Sequence, residues 1–179
     1  MLNAVRREVS LAPMRKPRTV VERRIFDEAQ GALDFPILEP RSLPQGYRLV
    51  GTDMLQHCRK LVTFNLRRPN DLMRLTQRLA DLPLEAELIL TAQPYTSLSY
   101  RGRTFLIIAG AFMGEPSDGR WHDSRRSIAW EHDGRICELQ QIIATSVPLA
   151  TAIAVAASCK IRPVPTKKRV EVGGQTNAG

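Results

Sequence analysis

The sequence predicts an α+β domain: a curved, largely antiparallel sheet with helices on one face and a closing C-terminal helix. Three observations lead there. Short apolar runs of strand length, separated by turn residues, recur from Tyr47 onward. One pair of runs, 127–131 and 135 onward, brackets Asp133-Gly134, and both of those residues tolerate the positive φ of a two-residue hairpin. The alanine-rich segment from Ser146 to Ser158 has Pro148 in its first turn and suits a helix packed closely on a sheet.

The leading element is a helix over 20–30. Thr19 and Glu22 form a capping box, in which each side chain satisfies the other's free backbone N–H. Val21, Ile25 and Ala29 recur every fourth residue, and Gly31 is a natural stop. Pro36, Pro40 and Pro44 keep the next segment extended. Gln45-Gly46 turns into a strand at 47–51, and a second strand at 59–66 carries apolar residues on both faces, which marks it as interior to the sheet. Asn70 is a good N-cap, and Leu72, Leu75, Leu79 and Leu82 form an apolar stripe with Arg74 and Arg78 outward, so a helix is expected up to Pro83. A buried strand at 87–92 follows, then a hairpin of 98–100 and 104–111 around Arg101-Gly102-Arg103. Residues 114–124 read as a polar loop. Ser146 is the expected cap of the last helix, with Leu149, Ile153, Ala156 and Ala157 inward and Lys160 and Arg162 complementing its C-terminus.

At 179 residues the chain fits one domain with tails. The divisions are a basic N-terminal arm (1–18), a leading helix and linker (19–34), the α+β domain (35–162) and a basic tail (163–179) whose composition is that of a disordered segment. The net charge of +8 is unevenly spread. Residues 1–24 hold seven Lys/Arg against two Glu, residues 160–179 five against one, and 25–159 fourteen against fifteen. The basicity therefore belongs to the ends.

Cys58, Cys137 and Cys159 are an odd, irregularly spaced set, which argues against a secreted disulfide framework. No secretory signal opens the sequence, so a cytoplasmic location is expected. Residues 139–159 lack charge over a membrane-spanning length. They are mainly alanine with several polar residues, and a strand followed by a buried helix accounts for them better.

Two pieces together carry a resemblance. One is Phe35-Pro36 through Leu43-Pro44-Gln45-Gly46-Tyr47-Arg48-Leu49; the other is Ile128-Ala129-Trp130-Glu131, then Asp133-Gly134-Arg135-Ile136, then Ser146 through Ser158. Over residues 35–160 this resembles the uncharacterised domain at the outer end of bacterial anti-sigma-factor-like proteins. The resemblance implies a non-enzymatic sensing or interaction domain. The sequence departs from that pattern in having neither the zinc-binding anti-sigma segment nor the membrane span, and in a helix over 72–82 that reads as an insertion.

The candidate chemistry is sparse. His57, Cys58, His122, Asp123, His132, Cys137 and Cys159 show no paired spacing of the zinc-binding kind, so no metal or other cofactor is expected. A set of Cys58, His122 and Asp123 has no local signature of a nucleophile, and no phosphate-binding loop is present; an enzyme is not expected. Trp130 reads as core. Partner contact is expected from Trp121, His122, Arg125 and Arg126, and from the arms through Arg6, Arg7, Arg15, Lys16, Arg18, Lys167, Lys168 and Arg169. The expected function is a non-catalytic accessory or regulatory subunit docking on a protein partner or larger assembly. The alternative is a nucleic-acid-associated protein whose basic ends grip phosphates or an anionic surface.

Overall fold

The computed structural model describes residues 12–17, 19–54, 59–91, 93–113, 120–143 and 146–162, with the backbone alone at 111–113 and 120–123. In chain order the elements are β1 (Met14–Arg15), α1 (Val20–Ala32), β2 (Leu38–Pro40), β3 (Leu43–Pro44), β4 (Arg48–Asp53), β5 (Leu61–Arg68) and β6 (Asp71–Leu79). There follow α2 (Leu84–Leu90), β7 (Thr96–Tyr100), β8 (Arg103–Met113), β9 (Arg120–His132), β10 (Arg135–Gln141), α3 (Leu149–Ser158) and β11 (Cys159–Ile161).

Seven strands make one antiparallel sheet in the order β4-β5-β6-β10-β9-β8-β7. The α+β class read from the sequence is the class observed. The Asp133-Gly134 turn joins β9 to β10, and both residues have positive φ, 48° and 70°. Two small ladders, β1 with β3 and β2 with β11, strap the proline-rich segment beside the sheet.

The main core lies between one sheet face and α1, α3 and that proline-rich segment. Phe26, Ile37, Tyr47, Phe64, Met73, Leu75, Trp130 and Ala156 are all shut off from water there. Phe26 meets Phe64 at 5.1 Å and Phe105 meets Trp130 at 5.8 Å between ring centres. The capping box of Thr19 and Glu22 is present. The buried side of α1, however, is Glu22, Phe26 and Ala29, while Val21 faces solvent. Glu22 is held by Arg15 and by the Leu49 N–H, and that fixes the rotation of the helix.

Three local expectations are corrected. The segment expected as a helix over 72–82 is β6, an interior strand hydrogen-bonded on both sides by β5 and β10. Its Asp71, Met73, Leu75 and Gln77 point to the core and Arg74 points away, so the pattern has period two. Asn70 is no N-cap; it takes φ of 61° in the β5–β6 turn. The expected strand at 87–92 is instead largely α2, opened by Pro83 with Glu85 and Glu87 in its first turn, where carboxylates complement the helix dipole. α2 lies on the sheet face opposite α1 and α3, setting Leu84 and Leu88 against Leu106, Ile108, Ala129 and Ile136. The third correction concerns α3, which begins after Pro148 with no side-chain cap; the Ser146 hydroxyl donates to the Ile143 carbonyl instead.

Candidate functional site

The residues expected to contact partners fall into distinct groups. Arg6, Arg7, Arg18, Lys167, Lys168 and Arg169 lie outside the described residues, as do His57 and Cys58. Arg15 does not belong to a free arm. Its guanidinium pairs with the buried Glu22 carboxylate, and its Nε donates to the Tyr47 carbonyl. Burial alone would raise the Glu22 pKa, but the Arg15 pair and the Thr19 and Leu49 N–H donors bring it down to about 2. Lys16 is exposed.

Trp121 and His122 stand in β9 rather than in a loop, paired in register with Phe112 and Ala111; their side chains lie outside the described residues. Just after them three β9 residues, Asp123 to Arg125, stand opposite Gly110 alone, whose φ of 87° permits the irregularity. Arg125, half-buried, is at the end of that stretch. Arg126 is turned inward. Its Nε donates to the Gln141 side chain at 2.7 Å and its Nη2 to the Val147 carbonyl at 2.9 Å, where the Gln141 amide also donates. Burial lowers the Arg126 pKa. This residue, partly buried, fixes the approach to α3.

Other polar side chains inside the fold serve it in the same way. Gln77 is fully buried and accepts from the Leu38 N–H while donating to the Leu38 carbonyl, docking β2 on the sheet. Arg135 donates to the Pro36 and His132 carbonyls. Arg162 pairs with Glu39 and Asp27 rather than with the end of α3. The Tyr47 hydroxyl donates to Asp71, and Arg68 lies 5.0 Å above the Tyr47 ring while reaching the Ser146 carbonyl. Burial and the Asp71 carboxylate push the Tyr47 pKa up to about 12.

Burial also pushes the Cys137 thiol up to about 12 and the Cys159 thiol further, so both are protonated at neutral pH. Burial, with Arg103 and Arg135 nearby, lowers the pKa of His132, against the pull of Asp133. Among the described residues no group of three or more His, Cys, Asp and Glu side chains is placed to hold a metal. Among them, too, no helix is long and apolar enough to cross a membrane.

What remains unspent is on the sheet face away from the main core. α2 covers the part over β8, β9 and β10, with Arg78 paired to Glu87. No described helix covers the part over β4, β5 and the start of β6. Arg48 stands directly opposite Arg67 across β4–β5. Arg67 faces Leu72, and Arg74 is flanked by Asn65 on one side and Gln140 on the other. All three arginines are exposed, and among the described residues none is in an ion pair. A groove of about 610 Å³ runs here, with Arg67, Arg74, Val50, Leu72, Ile142 and Ile143 in its wall. Two carboxylates also line it: exposed Asp53 accepts from the neutral Asn65 amide at 2.9 Å, which does not offset its charge, while Asp71 is turned to Tyr47 and Arg68.

Sequence reasoning missed this arrangement. From the sequence, Arg74 is expected outward on a helix, Arg48 stands only within the entry-segment motif, and no contact role is assigned to Arg48 or Arg67. The usable signal is an arginine directly beside a buried apolar residue in each strand: Leu49 next to Arg48, Leu66 next to Arg67, Met73 and Leu75 around Arg74. In comparisons with known proteins, no family model matches this chain and no curated protein matches it.

Proposed function

We propose that this chain is a non-catalytic interaction domain, an accessory or regulatory subunit that docks on a larger assembly. The observation that carries the reading is the contrast between the two sheet faces. On one face the polar side chains are consumed by the fold: Glu22, Gln77, Arg126 and Tyr47 each answer a buried partner. On the other, exposed Arg67 and Arg74 line a groove with apolar residues, and exposed Arg48 stands opposite Arg67. Arginine with flanking apolar surface is the composition of a docking site. The protonated, buried thiols of Cys137 and Cys159 are unsuited to nucleophilic attack.

The resemblance to the outer domain of anti-sigma-factor-like proteins points the same way. The segment that reads as an insertion is β6, so the sheet continues through it unbroken.

The test is capture from a native host extract with the full chain as bait, with and without nuclease. A second bait carries R6Q, R7Q, K167Q, K168Q and R169Q. The reading expects a protein partner that resists nuclease and is kept by the second bait. A catch that vanishes with nuclease and also needs those five charges makes the chain a nucleic-acid-associated protein instead.

A further inference from the structure

We propose that the open face of β4, β5 and β6 takes an acidic, partly apolar segment of a partner protein, whose carboxylates pair with Arg48, Arg67 and Arg74. The inference rests on the docking role just proposed and names its surface.

The register puts like charges together. Arg48 and Arg67 are directly opposed, and Arg74 lies diagonally across from Arg67. Like charges at opposed positions destabilise a sheet. Carboxylates placed between them turn that repulsion into forked, charge-assisted hydrogen bonds. The groove also supplies Val50, Leu72, Ile142 and Ile143, of which Val50 and Ile143 are exposed by 54% and 41%. A segment that is acidic throughout would leave those four uncovered. One that alternates acidic and apolar residues would engage both.

Charge narrows the occupant further. The chain's own ends outside the described residues are net basic, two Arg against one Glu in 1–11 and three Lys/Arg against one Glu in 163–179, which disfavours them as occupants of this face. A second copy meeting the face isologously would bring together two faces whose exposed charges are mainly arginine. Nucleic acid shares the charge, but among the described residues the groove wall holds no aromatic side chain on which bases would stack.

The experiment measures fluorescence anisotropy of a labelled peptide of alternating Glu and Leu against the full chain. Its counterparts are an all-Glu peptide, a Gln-Leu peptide and a single-stranded oligonucleotide of equal length. The proteins are wild type and R67E/R74E, with thermal unfolding as the folding control. The expected result is Glu-Leu binding that tightens as salt falls, exceeds both other peptides, and weakens about tenfold or more in R67E/R74E at unchanged or raised Tm.

Binding indifferent to R67E/R74E overturns the proposal, as does an oligonucleotide that binds more tightly through the same arginines. The same two proteins as baits in host extract separate this idea from the one beneath it. A partner kept equally by both overturns the face and leaves the docking role; no partner on either overturns both.

Discussion

The Tyr47 hydroxyl donates to the Asp71 carboxylate where neither group meets bulk water, binding the start of β4 to the start of β6. Arg68 closes the arrangement, 3.4 Å from the same carboxylate and stacked over the phenol ring. One acid thus answers a hydroxyl and a guanidinium, and the guanidinium answers the Ser146 carbonyl ahead of α3.

Replacing Tyr47 by Phe removes one donor from a buried carboxylate and is expected to cost about 1.5–3 kcal/mol. Urea unfolding of Y47F, D71N and the double variant checks it, because a shared bond makes the two losses less than additive. Full additivity would mean that the bond contributes nothing.

The same bond has an alkaline signature. The folded pKa of Tyr47, about 12, is above its ordinary value of 10.0, so its contribution is complete below pH 10 and is lost as pH rises toward 12. Of the chain's three tyrosines, one should resist ionisation in an absorbance titration while the protein stays folded. In Y47F that resistant step disappears.

Glu22 gives the opposite case. Its folded pKa of about 2 is below the ordinary 4.5, so its contribution is complete above pH 4.5 and is lost as pH falls toward 2. The size is on the order of 3 kcal/mol. Wild-type stability by urea unfolding should fall steeply across that window, and E22Q should start lower and fall less. Parallel slopes for the two proteins would rule out the Arg15–Glu22 pair as the cause.

Arg126, expected from the sequence to contact a partner, is predicted to act through stability. R126A leaves the Val147 carbonyl and Gln141 without one donor each and should cost about 2 kcal/mol, with R126K a poor substitute for the two-pronged contact. Capture of a partner by R126A at a temperature where it is fully folded should match wild type. A stable R126A that has lost its partner would return the residue to the interface.

Cys137 and Cys159 should resist an aromatic disulfide reagent in the native state and react on unfolding, since each is buried and protonated. Mass mapping of the labelled thiols reads this directly. Prompt native labelling of either would contradict the packing around β10 and β11.

How much was legible depends on the range of the interaction. The Thr19–Glu22 capping box and the Asp133-Gly134 hairpin were read correctly because their partners lie within three residues along the chain. Leu72, Leu75, Leu79 and Leu82 were misread because such spacing fits a helix stripe, and nothing local reveals the strands on either side. Once β5 and β10 supply hydrogen bonds to both edges, the segment extends and Leu72 and Leu75 go to opposite faces. The run at 87–92 was misread although Pro83, Glu85 and Glu87 are ordinary helix-start signals; its apolar density outweighed them.

The sequence by itself determined the α+β class, the leading and closing helices, the hairpin and the basic ends. Tertiary structure alone decided the proposed docking face. Arg48, Arg67 and Arg74 are separated along the chain, and only the β4–β5–β6 register makes them neighbours. It also decided which charges are free to act, because a guanidinium that meets a buried carbonyl, as Arg126 does, is held by the fold. One left on an open strand face keeps its hydrogen-bonding capacity for a partner.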